Sequence, residues 1–290
     1  MRHRTFPVLE SVEVTMPESV AYMGYLSPLD FDCPRLTSLW LTSVRFNYNS
    51  PSIGTLRTLG LSYVQLTPSD LRRIARGAPQ LDHLHIEGGI EVYDVNFDNG
   101  VGRDPLAHFP SLVSLVLEGL PGPQDALLYI SAPTLTSLTI SASTLFSISD
   151  WIAPRPPRPL LPLQTLHLAE VKVDSADGEG GPALYHGRLF EWVPQATTLV
   201  LSKCDARAAP LLEYLATAVP VALSALDVLV VRGRETVHQD VLLRIVRHYA
   251  QNGHPIQEVK FGRKLREELD GLFVSDLEEY VRVTVDDVDE

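Results

Sequence analysis

Cysteine is scarce, with Cys33 and Cys204 alone among 290 residues, too few for a disulfide-stapled secreted scaffold. The sequence also lacks any Asn-x-Ser/Thr sequon. Together these absences predict an intracellular, reducing compartment, cytoplasmic or nuclear. No run of about 18 apolar residues occurs, and no apolar stretch of about 7 to 15 residues follows the basic start Arg2-His3-Arg4, so neither a membrane span nor a signal peptide is expected. Positive charge is in deficit: 24 Lys and Arg stand against 36 Asp and Glu, for a formal net charge of −12. A surface of that sign repels phosphate backbones and anionic headgroups, so neither nucleic acid nor membrane is expected as a partner. The G-x-S-x-G, Walker, H-E-x-x-H and C-x-x-C patterns are missing, and Gly100-Val101-Gly102 is followed by no phosphate-binding helix pattern. No catalytic residue and no cofactor is assigned, and the chain is read as a non-enzyme. Hydrophobic residues, by contrast, make up 45% and charged ones 21%, the proportions of a packed globular protein large enough to bury a sizeable core.

What the chain has in abundance is a repeated frame, L-x-x-L-x-L with conservative replacements. It runs as Leu9/Val12/Val14, Leu36/Leu39/Leu41, Leu56/Leu59/Leu61, Leu81/Leu84/Ile86, Leu112/Leu115/Leu117 and Leu135/Leu138/Ile140. It continues as Leu163/Leu166/Leu168, Ala196/Leu199/Leu201, Leu226/Leu229/Val231 and Ile256/Val259/Phe261. Successive frames start 20 to 33 residues apart, centred near the roughly 20 to 29 residues of a leucine-rich repeat. A second signal is independent of the leucines. Proline stands two places before the first frame position at Pro7, Pro34, Pro79, Pro110, Pro133 and Pro194, each after an apolar residue. Proline lacks an N–H and pushes its predecessor out of the helical region, so each pair should end a connection and launch a strand.

Between frames, Thr67-Pro68-Ser69-Asp70 reads as a helix start, with Leu71, Ile74 and Ala75 on one face and Gly77 as the stop. Residues 207–219 and 237–252 carry apolar side chains at helical spacing. Residues 92–105, 153–162 and 174–182 read as loops. The second holds two Pro-x-x-P spacings beside Arg155 and Arg158, which suit either a stiff connection or a polyproline-type ligand. Residues 264–290 hold ten acidic and three basic groups and read as a solvated C-terminal cap with a frayed end, its Val281, Val283 and Val285 alternation able to close the stack.

These observations predict an α/β fold: a leucine-rich-repeat solenoid, or horseshoe, of about ten to eleven irregular repeats. It would have a parallel concave β-sheet and convex helices and loops, in a single domain over 1–290 with repeats starting near 9, 36, 56, 81, 112, 135, 163, 196, 226 and 256. A globular doubly wound α/β sheet is the alternative.

Cys33-Pro34-Arg35-Leu36-Thr37-Ser38-Leu39-Trp40-Leu41 and Phe109-Pro110-Ser111-Leu112-Val113-Ser114-Leu115-Val116-Leu117 resemble the irregular leucine-rich-repeat arrays of F-box-like proteins, especially the divergent fungal ones. The resemblance covers nearly the whole chain. It implies that the array recognises a protein substrate while an upstream F-box bundle docks an adaptor of a ubiquitin ligase. No F-box pattern precedes Phe6, so that adaptor is expected only where such a bundle precedes Met1. A stand-alone scaffold or regulator is the alternative function, and an enzyme with its site in a loop such as 92–105 a third. The asparagine ladder of extracellular repeats is absent, its places being held by Val44, Val64, Gly89, Leu120, Ser143, Val171 and Cys204, which agrees with an intracellular type.

Side chains alternate faces along a strand, so with the frame leucines inward, the residues two, four and six places after each first leucine point outward. The face so defined is rich in Ser and Thr and carries Trp40, His83, His85, Glu87, Glu118, His167 and Arg232, the expected partner-binding residues. Trp40 stands out because tryptophan is enriched among binding hot spots; its alternative is packing beneath an N-terminal segment. His83, His85 and Glu87 share one face of one strand, with Glu118 beside Glu87, a pattern that suits zinc or a pH-sensitive contact patch. The next outward imidazole, His167, lies three strands on, about 14 Å away, so no metal is assigned. Cys204 reads as core filling rather than a nucleophile. Finally, Val8, Leu9, Val12 and Val14 begin a stack with one side uncovered. This predicts a missing N-terminal cap, F-box or partner, and self-association through residues 8–14.

Overall fold

The computed structural model describes residues 6–16, 32–44, 46–64, 66–88, 107–120, 127, 129–145, 162–173, 189–190, 193–204, 208–233 and 239–288. The loops expected at 92–105 and 174–182, and all of 153–162 except Pro162, lie outside them. The chain divides into two compact units, Met1–Leu135 and Thr136–Glu290.

In the first unit the elements are β1 (Ser11–Thr15), β2 (Ser38–Thr42), a 3-10 turn (Pro51–Thr55), β3 (Thr58–Ser62), α1 (Pro68–Gly77), β4 (His83–Glu87), β5 (Ala107–His108), β6 (Ser114–Glu118) and β7 (Ile130–Ser131). Strands β1, β2, β3, β4 and β6 adjoin in chain order, and every pair is parallel. The register aligns Val12, Leu39, Leu59, Leu84 and Leu115 in one row, and Val14, Leu41, Leu61, Ile86 and Leu117 in another. The short β5 and β7 pair with each other.

The second unit contains β8 (Ser137–Ser141), β9 (Thr144–Leu145), β10 (Thr165–Ala169), β11 (Lys172–Val173), β12 (Thr198–Ser202), α2 (Ala209–Thr217), β13 (Val228–Arg232), α3 (Gln239–Gln251), β14 (Glu258–Gly262), α4 (Arg263–Glu268), α5 (Gly271–Glu278) and β15 (Arg282–Asp286). Strands β8, β10, β12, β13, β14 and β15 are again parallel and in chain order. Two-residue β9 and β11 pair separately.

The frame accounts for the strands. Leu39, Leu84, Leu115, Leu138, Leu166, Leu199 and Leu229 are no more than 1% exposed, and burying each such side chain contributes about 1.5–3 kcal/mol. Ahead of the six frames that carry it, the apolar-Pro pair forms a tight turn. The N–H of Leu36 donates to the carbonyl of Cys33, Leu81 to Ala78, Leu135 to Ala132 and Ala196 to Val193. Proline occupies the second turn position, where its fixed φ fits and no N–H is needed. At the strand ends the residues that replace an asparagine ladder are buried: Val44, Val64, Leu120, Ser143, Val171 and Cys204. The polar backbone there is satisfied by a left-handed residue directly after the strand. Ser43, Tyr63, Ala142, Glu170 and Lys203 all have φ between 47° and 59°. Each donates its N–H to the last carbonyl of the next strand, at 2.8–3.1 Å. Each left-handed non-glycine residue costs about 1 kcal/mol, offset by one further ladder hydrogen bond.

The expected helices form close to the expected places. α1 carries a capping box in which Thr67 Oγ1 accepts from the Asp70 N–H and Asp70 Oδ2 accepts from the Thr67 N–H, and it buries Leu71, Ile74 and Ala75. α2 and α3 bury Leu211, Leu212 and Leu215, and Val241, Leu242, Ile245, Val246 and Tyr249. Arg244 donates from both terminal nitrogens to the Glu213 carboxylate, joining the two helices. The C-terminal stretch forms helices α4 and α5 and a strand, β15, that carries Val283 and Val285 and pairs with β14, so the part expected to fray is ordered through Asp286. Phe273, Val274 and Leu277 supply buried apolar surface there; the high acidic count masks them, because the charges occupy the opposite face.

Candidate functional site

Trp40 sits mid-strand on β2, in register with Glu13 on β1 and Gly60 on β3. A Cβ at Gly60 would stand 2.0 Å from Trp40 Cε3 and 2.4 Å from Cζ3, so the indole rests over bare backbone that only glycine leaves open. Trp40 is still 37% exposed. Its edge meets His85 on β4, with ring centroids 5.6 Å apart and planes at 82°. His85 Nε2 lies 3.0 Å from Glu118 Oε2, an ion pair when the imidazole is protonated. Glu118 is also in register with Glu87, which places two carboxylates side by side. His83 is exposed on the same face, one pair of residues before His85. The tryptophan thus packs on Gly60 and His85, and His85 in turn meets Glu118, which stands beside Glu87.

Two neighbours escape the sequence reading. Gly60 looks like an ordinary outward position, although its signal, a glycine in register beside the one tryptophan of the face, emerges only when the frames are aligned. Tyr63 is 56% exposed in a left-handed conformation over Gly88, where an added Cβ would meet its Cδ1 at 2.8 Å.

In the second unit, His167 Nε2 lies 2.9 Å from Ser202 Oγ on β12. Burial, and secondarily the charge of Arg232, hold the His167 imidazole below its ordinary pKa. Arg232 donates from Nε to Asp286 Oδ2 on β15. Thr284 donates to Glu258 Oε1 at 2.9 Å, and Lys260 and Arg282 approach the same carboxylate. These contacts, with the Thr284 hydrogen bond foremost, hold Glu258 below the usual carboxylate range. Ser202, Val200 and Val230, which read as outward, are under 10% exposed, because longer neighbours such as His167 fold over their short side chains.

Cys204 is buried, with Sγ 3.5 Å from the carbonyls of Leu168 and Ser202, a core-filling position. Burial, and then the nearby Asp32 carboxylate, push the Cys33 thiol up. Among the described residues, no cluster of three or more His, Cys, Asp or Glu has the placement to hold a metal, and no helix is long and apolar enough to cross a membrane. No protein-family model and no curated protein matches this sequence.

Proposed function

We propose that this chain is a leucine-rich-repeat solenoid acting as a protein–protein interaction module through the outward strand face that carries Trp40. The carrying observation is Trp40 itself: a large aromatic held in place by Gly60 and His85 yet 37% exposed. Removing an indole from water is costly to forgo and specific in shape, which is why tryptophan dominates interface hot spots. The parallel in-order strands, the proline turns and the recurring left-handed strand ends support the repeat reading, since each recurs at the same place in several frames. His83, His85, Glu87 and Glu118 extend that contact surface within the first unit; His167 and Arg232 lie on the outward strand rows of the second unit, where each already has a partner in Ser202 and Asp286. The resemblance to F-box-like arrays favours substrate recognition for a ubiquitin ligase as the biological setting, in an intracellular compartment.

The test is site-specific photo-crosslinking in the source cells. A photoreactive residue at position 38 or 58, both on the outward face, should capture one and the same protein. A probe at position 272, which is 76% exposed on α5, should not capture it. Equal capture from position 272 defeats the assignment of the face. Co-purification of a ubiquitin-ligase adaptor with the full gene product supports the F-box-like setting; its absence, with the partner retained, favours a scaffold.

A further inference from the structure

The Met1–Leu135 unit contains no lysine, and no arginine among the described residues occupies its outward strand rows. The nearest, Arg57, lies one residue ahead of β3 and is bound to Asp82 at 2.8 Å. The described face is therefore anionic and aromatic, made of Glu13, Trp40, His83, His85, Glu87 and Glu118. Glu13 and Glu87 take part in no side-chain hydrogen bond or ion pair among the described residues, and Glu118 has only the His85 imidazole. Glu87 and Glu118 are in register on neighbouring parallel strands, and like charges so placed repel. Trp40 is 37% exposed, and tryptophan is the ring that best attracts a cation.

Resting on the interaction reading above, we propose that this face receives a basic peptide segment. One arginine or lysine would lie against Trp40 beside Glu13, and a second between Glu87 and Glu118. The geometry also sets a spacing. From the gap between β1 and β2 to the gap between β4 and β6 is three strand steps, about 14 Å at about 4.8 Å per step, and the second pair lies one outward row further along the strands, about 7 Å, for a separation of about 16 Å. An extended chain spans about 3.4 Å per residue, so the two cations stand about four to five residues apart in a segment that crosses the strands obliquely. Electrostatics supplies attraction and register, while the indole supplies the apolar contact that a salt-screened surface cannot.

Because a chain of net charge −12 attracts any cation, the test separates this face from general attraction. A fluorescein-labelled Arg-Ser-Ser-Ser-Arg peptide is titrated with the full chain and followed by anisotropy. It should bind more tightly than an Arg-Ser-Arg peptide and far more tightly than Glu-Ser-Ser-Ser-Glu. Trp40→Ala should weaken it about tenfold, and the isosteric set Glu13→Gln, Glu87→Gln, Glu118→Gln at least as much, with unchanged circular dichroism. The control set Glu267→Gln, Glu268→Gln, Glu278→Gln removes three charges elsewhere and should change affinity less than twofold. Equal loss in both sets, indifference to Trp40→Ala, or equal binding of the acidic peptide overturns the inference. Should positions 38 and 58 crosslink a partner while the arginine peptide fails to bind, the interaction face stands and only its basic ligand falls.

Discussion

On the outward strand face of the Thr136–Glu290 unit the polar side chains answer one another: Arg232 with Asp286, Glu258 with Thr284, Lys260 and Arg282, His167 with Ser202. The Met1–Leu135 unit repeats the same strand frame but, among the described residues, gives Glu13 and Glu87 no cation partner and leaves Trp40 partly bare. The same frame thus sets the fold in both units and leaves the outward residues of each open to a different use. In the second unit those charged and imidazole side chains are paired within the unit. In the first they form a surface whose charges and aromatic ring gain most from a molecule outside it.

The largest test of this contrast removes one carboxylate from each face. Asp286→Ala takes the Asp286 carboxylate from the Arg232 guanidinium, which is only 21% exposed at its side chain, and should cost about 1–3 kcal/mol. Glu118→Ala acts on a carboxylate that is 38% exposed, where solvent screening limits the loss to under about 0.5 kcal/mol. Urea unfolding midpoints measure both, and equal costs would break the comparison. A smaller effect is expected from Gly60→Ala. The new methyl displaces the indole from its seat, costs about 1 kcal/mol through overpacking, and raises the acrylamide quenching of tryptophan fluorescence; unchanged quenching would show that Trp40 does not rest there.

The smallest effect is a pH dependence in the second unit. His167 has a folded-state pKa below its ordinary 6.5, so the unfolded chain takes up the proton first. The stability this neutral imidazole supports is present above about pH 6.5 and declines as pH falls towards the folded value. His167→Asn should therefore lose about 1–2 °C less in Tm than the parent between about pH 7.5 and pH 5.5. An identical decline in both proteins would exclude His167 as its source.

Much of the architecture was legible because it rests on local spacing. The leucine frames mark every long strand through β14, and the proline two places ahead marks the turn before the strand. Thr67 and Asp70 announce the cap of α1. β15 was less legible: Val283 and Val285 lie in a stretch dominated by acidic side chains, and its status as a paired strand depends on α4 and α5 bringing it beside β14. The outward positions of Trp40, His83, His85, Glu87 and Glu118 follow from the two-residue period alone. Their partners do not, because His85 reaches diagonally to Glu118 rather than staying with its row.

Which positions carry the frame and where the strands begin follow from periodicity and proline chemistry, which are properties of neighbouring positions along one chain. That Gly60 lies under the Trp40 ring, that His167 folds onto Ser202 and buries it, and that Arg232 reaches over the Gly262 row to Asp286 does not follow from them. Those contacts join residues 20, 35 and 54 positions apart. Their formation depends on the parallel register that stacks one frame beside the next.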